Sequence, residues 1–394
     1  EASEMLRQIL DDSPELAYRP RPMSIGTGPQ AARTPLRQLP APPPDFTGRV
    51  LATDALARRM PATSVTVTVL TGPPGIGKTA LAVKAAHLAA EAFPDGQLFV
   101  SLGGRREPGE PLALLGQLLR SLGVPPGSVP ASMAESAAMY RSMLAGRRVL
   151  VLIDDATAAA QIRPLLPGTS GTAVLVTASC GLADLEGACH IEVGPLSQGE
   201  SVGMLGRIVG QDRLRAEPDG ARAIASACAG LPLALRIAGA RLASAPARRL
   251  ADLAAELAAE APADTASAAG LRTVLAIGDL SVSRRFDEVW QTLRPAARLA
   301  LWLLAHARQE SCPEWLVQVV AEGSSAVVGE LADSCLIRQD PATARYSLAP
   351  LVRRFALAQP VPRSGATLSW RSFAEFEPLW AGLDELTRAT AAGS

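Results

Sequence analysis

The sequence predicts an α/β fold: a parallel sheet with helices on both faces, followed by a small helical domain and a winged-helix domain. Three observations carry this. Between Asp45 and Pro195, short apolar β-branched runs alternate with Ala- and Leu-rich helical stretches, the pattern of βα units on a parallel sheet. A glycine loop, Gly72 to Thr79, stands between one such strand and one such helix. After Pro195 the strand signal stops, and it resumes in a short hairpin-like segment behind three helices.

Composition sets the bounds. A chain of 394 residues has room for two or three domains. The hydrophobic share of 48% and charged share of 19% fit a soluble globular protein, and the excess of Ala and Leu over aromatics favours helix. The longest apolar run, around Leu299 to Ala305, is too short to span a bilayer, so no membrane partner is expected. The polar, acidic opening is no secretory signal, and a start on Glu1 suggests a processed form or a piece of a longer protein. Formal net charge is zero, without the basic excess of a dedicated DNA-binding domain. Cys180, Cys189, Cys228, Cys312 and Cys335 have no metal-ligand spacing, which points to reduced thiols and a cytoplasmic location. His87, His190 and His306 are isolated.

The elements follow in order. Residues 1–44 read as a helix with Met5, Leu6, Ile9 and Leu10 at helical spacing, then a Pro/Arg-rich linker. Residues 45–194 form the sheet domain. "SVTVTVL" is a strand, "TALAVKAAHLAAEAF" a helix and "GQLFVSL" a strand. "PLALLGQLLRSLG" and "MAESAAMYRSMLAG" are helices. "RRVLVLIDD", "TAVLVTA" and "CHIEV" complete the strands. Continuous apolar runs are expected of strands covered on both faces. Residues 195–270 read as a helical domain, through "SQGESVGMLGRIV" and "PDGARAIASACAGLPLALRIAGARLA" to an Ala-rich helix. Residues 271–360 read as a winged helix, with three helices followed by "LIRQDPATARYSL". The tail, 361–394, carries a helix from Pro378 with Leu379, Leu383 and Leu386 on one face.

The loop carries the chemistry. Gly72-Pro73-Pro74-Gly75-Ile76-Gly77-Lys78-Thr79 satisfies G-x-x-x-x-G-K-[ST] between a strand and a helix. Side chains at its glycines would intrude where backbone N–H groups converge on phosphate oxygens. The following helix, from Lys78 through Thr79 and Ala80, offers its N-terminal N–H groups and positive dipole end. Lys78 is placed to reach the β/γ phosphates, and the Thr79 hydroxyl to hold Mg²⁺. Asp154 and Asp155 end an apolar strand expected to neighbour the loop. Asp154 is the candidate metal-side carboxylate and Asp155 the candidate base or water-orienter. The cofactors implied are ATP or ADP with Mg²⁺.

Four further stretches narrow the class. "DFTGR" at Asp45–Arg49, "FPDGQLFVSLGG", "LVTASC" and "GLPLAL" at Gly230–Leu235 stand in that order around the loop. Together they resemble the NB-ARC type of STAND ATPase. The likeness is nearest to the ATPase module of AfsR-like SARP regulators, the Streptomyces antibiotic regulatory proteins, and covers about residues 45–360. The resemblance implies that Arg49 approaches the nucleotide, that Pro232 packs on the adenine, and that the winged helix restrains a resting form. It also implies an upstream DNA-binding and activation domain, to whose end "LRQILDDSPEL" is similar, and self-association in the ATP state. The implied function is an ATP/ADP switch with slow hydrolysis, serving a transcriptional activator.

Two departures from that pattern stand out. The strand ending in "LVTASC" has Ala178, Ser179 and Cys180 where the family places a phosphate-sensing Arg, and Ala349 and Pro350 stand where it places a His-Asp pair. A charge-assisted hydrogen bond is worth about 1.5–3 kcal/mol, so each loss predicts weaker discrimination between ATP and ADP. Arg236 or a neighbouring subunit is a candidate replacement. Two other classes remain open: a P-loop motor or kinase with rapid turnover, and a DNA-reading winged helix. The helix for the latter, "SSAVVGELADSCL", offers Glu330 and Asp333 and no Arg or Lys, so DNA contact through it is not expected.

Overall fold

The computed structural model describes residues 36–60, 66–103, 110–179, 181–259, 275–307, 311–360 and 362. The helix expected at the start of the chain, most of the linker, Cys180 and the tail helix expected from Pro378 lie outside them.

Six strands form one parallel sheet: β1 (Leu36–Arg37), β2 (Thr66–Thr71), β3 (Gly96–Ser101), β4 (Val149–Ala156), β5 (Ala173–Ala178) and β6 (Ala188–Glu192). Their order is β1-β3-β4-β5-β2-β6. The glycine loop leaves the end of β2. The sequence leads one to expect the strand of the Asp154–Asp155 pair beside β2; instead β5 lies between them and pairs with both. The two-residue β1, within the expected linker, pairs with β3 at the sheet edge.

The central strands bury both faces, and period-2 alternation sorts their side chains. Leu150, Leu152 and Leu175 face a core with α2 (Lys78–Leu88), behind which packs α1 (Val50–Arg59). Val151, Val174 and Val176 face a second core with α3 (Glu110–Ser121) and α4 (Met133–Leu144), around Leu115, Leu118 and Tyr140. The short α5 (Ala159–Ile162) follows β4. Burial pushes the Tyr140 phenol well above its ordinary range.

The helical module contains α6 (Gln198–Val209), α7 (Gln211–Ala216), α8 (Pro218–Ala227), α9 (Pro232–Ser244) and α10 (Leu250–Ala259). The stretch ending "GLPLAL" breaks between α8 and α9, where Ala229 and Gly230 have φ of 51° and 67°. Pro232 then opens α9 at a first-turn position that needs no backbone donor.

A hairpin of β7 (Ala276–Ile277) and β8 (Leu280–Ser281) leads into the C-terminal module. It contains α11 (Val282–Thr292), α12 (Pro295–His306), β9 (Ser311–Cys312), α13 (Glu314–Val320), α14 (Ser325–Asp333), β10 (Ile337–Gln339), β11 (Tyr346–Leu348) and α15 (Pro350–Leu357). Its small antiparallel sheet runs β10-β11-β9. Four elements lack a sequence signal. Helices α1 and α7 are short and bury few side chains, α15 is eight residues long, and the β7–β8 hairpin is two residues a side. Among the described residues no helix is long and apolar enough to cross a membrane.

Candidate nucleotide-binding site

The loop owes its shape to its glycines. Gly75 and Gly77 take φ of 77° and 86°, conformations that L side chains rarely adopt. Space is equally short. A Cβ at Gly75 would lie 3.0 Å from the Leu233 side chain, and one at Gly77 would lie 3.2 Å from Arg49 Nη1. The Leu233 N–H donates to the Gly75 carbonyl at 3.2 Å. The glycines thus serve close packing against the helical module as well as phosphate approach, a demand the motif alone does not reveal. Lys78 Nζ reaches back over the loop and donates to the carbonyls of Gly72, at 2.7 Å, and Pro73, at 3.2 Å.

Beyond Lys78 lies an oxygen-rich edge. Thr79 Oγ1 donates to Asp154 Oδ1 at 2.6 Å, and Thr177 Oγ1 donates to the same oxygen at 2.7 Å. Thr177 also accepts from the Asp155 N–H at 2.9 Å. Asp155 lies within a register shift of β4, between Ile153 and Ala156, and has φ 61°. Burial and the adjacent Asp154 push its carboxyl pKa up, while Lys78 and Arg285 oppose that rise. Thr79 and Asp154 make the hard oxygen pair that suits Mg²⁺. Thr177 was not foreseen. It sits two residues before Ser179 on β5, the strand that separates the loop from the acidic pair.

On the other side, a small recess is lined by Phe46, Arg49, Gly77, Ala80, Met204 and Pro232, among others. It brings together four of the residues singled out in the sequence, Arg49, Gly77, Ala80 and Pro232. Gly72, Pro73 and Ile76 are not among its walls; the Pro73 and Ile76 side chains face a different cavity. Arg49 is held from two directions. Its N–H donates to Glu200 Oε1 at 2.7 Å and its guanidinium to the Gly194 carbonyl at 2.8 Å. Burial lowers the Arg49 pKa, and Glu200 partly restores it. Arg236 grips Asp45 through two bonds, 2.8 and 2.5 Å, and so ties α9 to the lead-in segment.

The C-terminal module closes on the loop. Cys335 lines the cavity beside Pro73 and Ile76; burial pushes its thiol's pKa up, and Lys78 opposes the rise. The Gly181 N–H donates to the Asp333 carbonyl at 2.7 Å. Between the modules lies a cavity of about 500 Å³, lined by Pro73, Ile76, Phe286, Asp333, Ala349 and Pro350, among others. Ala349 and Pro350 therefore do face the loop, but with no side-chain donor or charge. Ser179 turns away, its Oγ bonding the Ala156 carbonyl at 3.3 Å. Glu330 of α14 is taken up by Arg294, at 2.6 Å, and Asp333 of the same helix packs on Gly181.

Comparison with known proteins agrees with this geometry. Residues 62–166 match the AAA domain family. The chain is 39% identical over 370 residues to the regulatory protein AfsR of Streptomyces coelicolor, covering 90% of this chain and 36% of that one. It is 39% identical over 369 residues to AfsR of Streptomyces griseus, covering 91% of this chain and 36% of the relative. The chain thus spans about a third of the length of these curated relatives. Among solved structures, a STAND protein with a tetratricopeptide repeat sensor from Pyrococcus horikoshii aligns at 16% identity with a TM-score of 0.37, over 83% of this chain and 44% of that one. A Walker-type ATPase of Pyrococcus abyssi aligns at 15% identity with a TM-score of 0.47, over 80% and 97%.

Proposed function

The chain carries an AfsR-like P-loop ATPase module, and from that premise we propose that it is an ATP/ADP-binding regulatory switch of a bacterial transcriptional activator. The observation that carries the reading is how the modules meet at the loop. Gly75 and Gly77 pack on Leu233 and Arg49, and Asp333 and Cys335 of the C-terminal module line one cavity with Pro73 and Ile76 of the loop. A group bound at the loop therefore touches all three modules at once. Ligands that contact an assembled arrangement shift its population, which is what a switch requires.

In this proposal the base lies in the recess between Phe46 and Pro232, and Lys78 leaves the Gly72 and Pro73 carbonyls for the phosphates. Thr79 and Asp154 would hold the Mg²⁺, which when bound neutralises phosphate charge. Asp155 orients the attacking water. With no cation at Ser179, hydrolysis is slow, on the scale of minutes or longer. The upstream DNA-binding domain of the same protein, and self-association in the ATP state, are the proposed outputs. Glu330 of α14 is held by Arg294 and the Asp333 backbone by Gly181, so this helix packs within the protein, which favours this over a DNA-reading C-terminal module.

The test is to denature the purified protein, identify any released nucleotide, and time ATP hydrolysis by the protein and by Lys78→Ala. Bound ADP with turnover in minutes or slower, both lost in Lys78→Ala, is the expected result. Turnover in about a second or less would replace the switch with a motor or kinase. No binding even with added Mg-ATP would make the module a scaffold.

A further inference from the structure

The cavity between the sheet domain and the C-terminal module has no part in the nucleotide site described above. It encloses about 500 Å³, inside the range of roughly 300–1,000 Å³ of small-molecule pockets, and lies at a junction of modules, where such pockets concentrate. Pro73 and Ile76 reach it from the loop, Ala229 and Leu231 from the turn into α9, and Phe286 and Leu348 from the C-terminal module. None of Lys78, Thr79, Asp154 and Asp155 is among its walls, and it shares no wall with the recess of Arg49 and Pro232. Most of the lining is apolar. The charged side chains on it are the carboxylates of Glu192, the last residue of β6, and Asp333, the last residue of α14, and the Arg338 guanidinium. The lining thus carries two negative charges to one positive. Among the described residues, neither carboxylate is taken up by a side-chain hydrogen bond or an ion pair. A carboxylate facing a mostly apolar space is stabilised by a cation that enters it. Burial already raises the Asp333 pKa, the direction expected of a carboxylate without a partner.

We propose that this cavity binds a small organic cation, an apolar body bearing one basic nitrogen, with the body against Ile76, Phe286 and Leu348 and the nitrogen drawn to the Glu192 and Asp333 carboxylates. The site is separate from the nucleotide's and does not rest on the switch reading. Its ligand touches the loop, the turn into α9 and the C-terminal module together, so it favours the closed arrangement over one in which the C-terminal module has left. Where a nucleotide favours the same arrangement, each ligand tightens the other by the same factor. Ala349 and Pro350 suit this role. They bring no donor or charge to the cavity and leave their wall to apolar contact.

The experiment is a fluorescence titration of the whole chain with dansylcadaverine, whose naphthalene and free amine match the two halves of the site. Its N-acetyl derivative, which keeps the ring and lacks the charge, is the comparison, and each titration is repeated with saturating Mg-ADP. The expected result is one saturable site that holds the amine about tenfold or more tighter than the acetylated form, the difference a charge-assisted contact makes. Glu192→Gln combined with Asp333→Asn keeps the shape of the walls and should bring the two probes within about twofold of each other. Ala349→Trp, at the exposed residue before α15, fills the cavity and should lose both probes with the far-UV circular dichroism unchanged. Mg-ADP should leave probe binding in place or tighten it. Absence of a saturable site, or a site that survives Ala349→Trp, overturns the proposal. Equal affinity for the two probes in the unaltered chain overturns the choice of a cation. Displacement of the probe by Mg-ADP merges the cavity with the nucleotide site and overturns a separate one. Probe binding by a chain that binds no nucleotide upholds this proposal while the switch reading falls.

Discussion

Thr177 braces both members of the acidic pair with one hydroxyl. It donates to Asp154 and accepts from the Asp155 backbone, while Thr79 donates to the same Asp154 oxygen. Thr177→Val keeps the volume and removes both bonds, leaving two partly buried groups without this partner. Leaving such groups unmade costs about 1–3 kcal/mol. The expected outcome is a lower melting temperature and roughly a tenfold weaker Mg²⁺ requirement curve for hydrolysis, read by titrating Mg²⁺ at fixed ATP. Unchanged Mg²⁺ dependence would remove Thr177 from the site. Gly77→Ala tests the other face of the loop. An L residue at φ 86° is strained by about 1–3 kcal/mol, and the new methyl meets Arg49 Nη1 at 3.2 Å. Nucleotide affinity should fall about tenfold or more, and retention of wild-type affinity would show that the loop and Arg49 relax freely.

At the scale of the element, α6 shows what sequence can and cannot say. Its start is legible, because Ser197 and Glu200 are spaced as a capping box and the structure has both halves of it. What no local pattern shows is that Glu200 also accepts from the Arg49 N–H, 151 residues away. That bond is the main reason the Glu200 pKa is lowered; burial works against it and Ser197 adds to it. A carboxyl lowered on folding contributes stability above its ordinary value of 4.5, and loses it as pH falls through the lower folded value. In Glu200→Gln the melting temperature should therefore fall less steeply than in the wild type between about pH 5 and pH 3, and the two slopes should coincide near neutrality. Identical acid limbs would show that Glu200 does not hold the lead-in segment. The same distinction runs through the site. The phosphate loop and the Asp pair are written in adjacent residues, and Arg49 and Pro232 were reached through short motifs. Thr177 and the Asp45–Arg236 pair were not legible, because each acts across modules or strands that only the fold brings together. The order of β5 between β4 and β2 is likewise a property of the crossover connections, not of any strand's own residues.

At the scale of the whole molecule, the modules are joined unequally. One apolar core runs from α2 through the helical module into α12 and α15, by way of Leu81, Leu235, Leu303 and Phe355. Arg354 adds a bond to the Leu257 carbonyl, and Arg241 to that of Ala276, so the C-terminal module is anchored to the helical one. Against the sheet domain its hold is slighter: the large cavity intervenes, with a polar contact at Gly181–Asp333. Opening should therefore begin at the loop, with the C-terminal module leaving while its apolar anchor persists. Gly181→Val tests this directly. A Cβ at Gly181 would already stand 3.0 Å from Asp333 Oδ1, and the valine methyls extend the clash and threaten the 2.7 Å bond from the Gly181 N–H to the Asp333 carbonyl. Losing that bond costs about 0.5–1.5 kcal/mol, enough to speed release of a fluorescent ADP analogue roughly two- to tenfold. The radius of gyration by small-angle scattering should rise with it. Gly199→Ala, where an added Cβ meets open space, should change neither quantity. Faster release without expansion would place the loosening in the loop itself; unchanged release in Gly181→Val would mean that the docking of Asp333 does not gate the nucleotide.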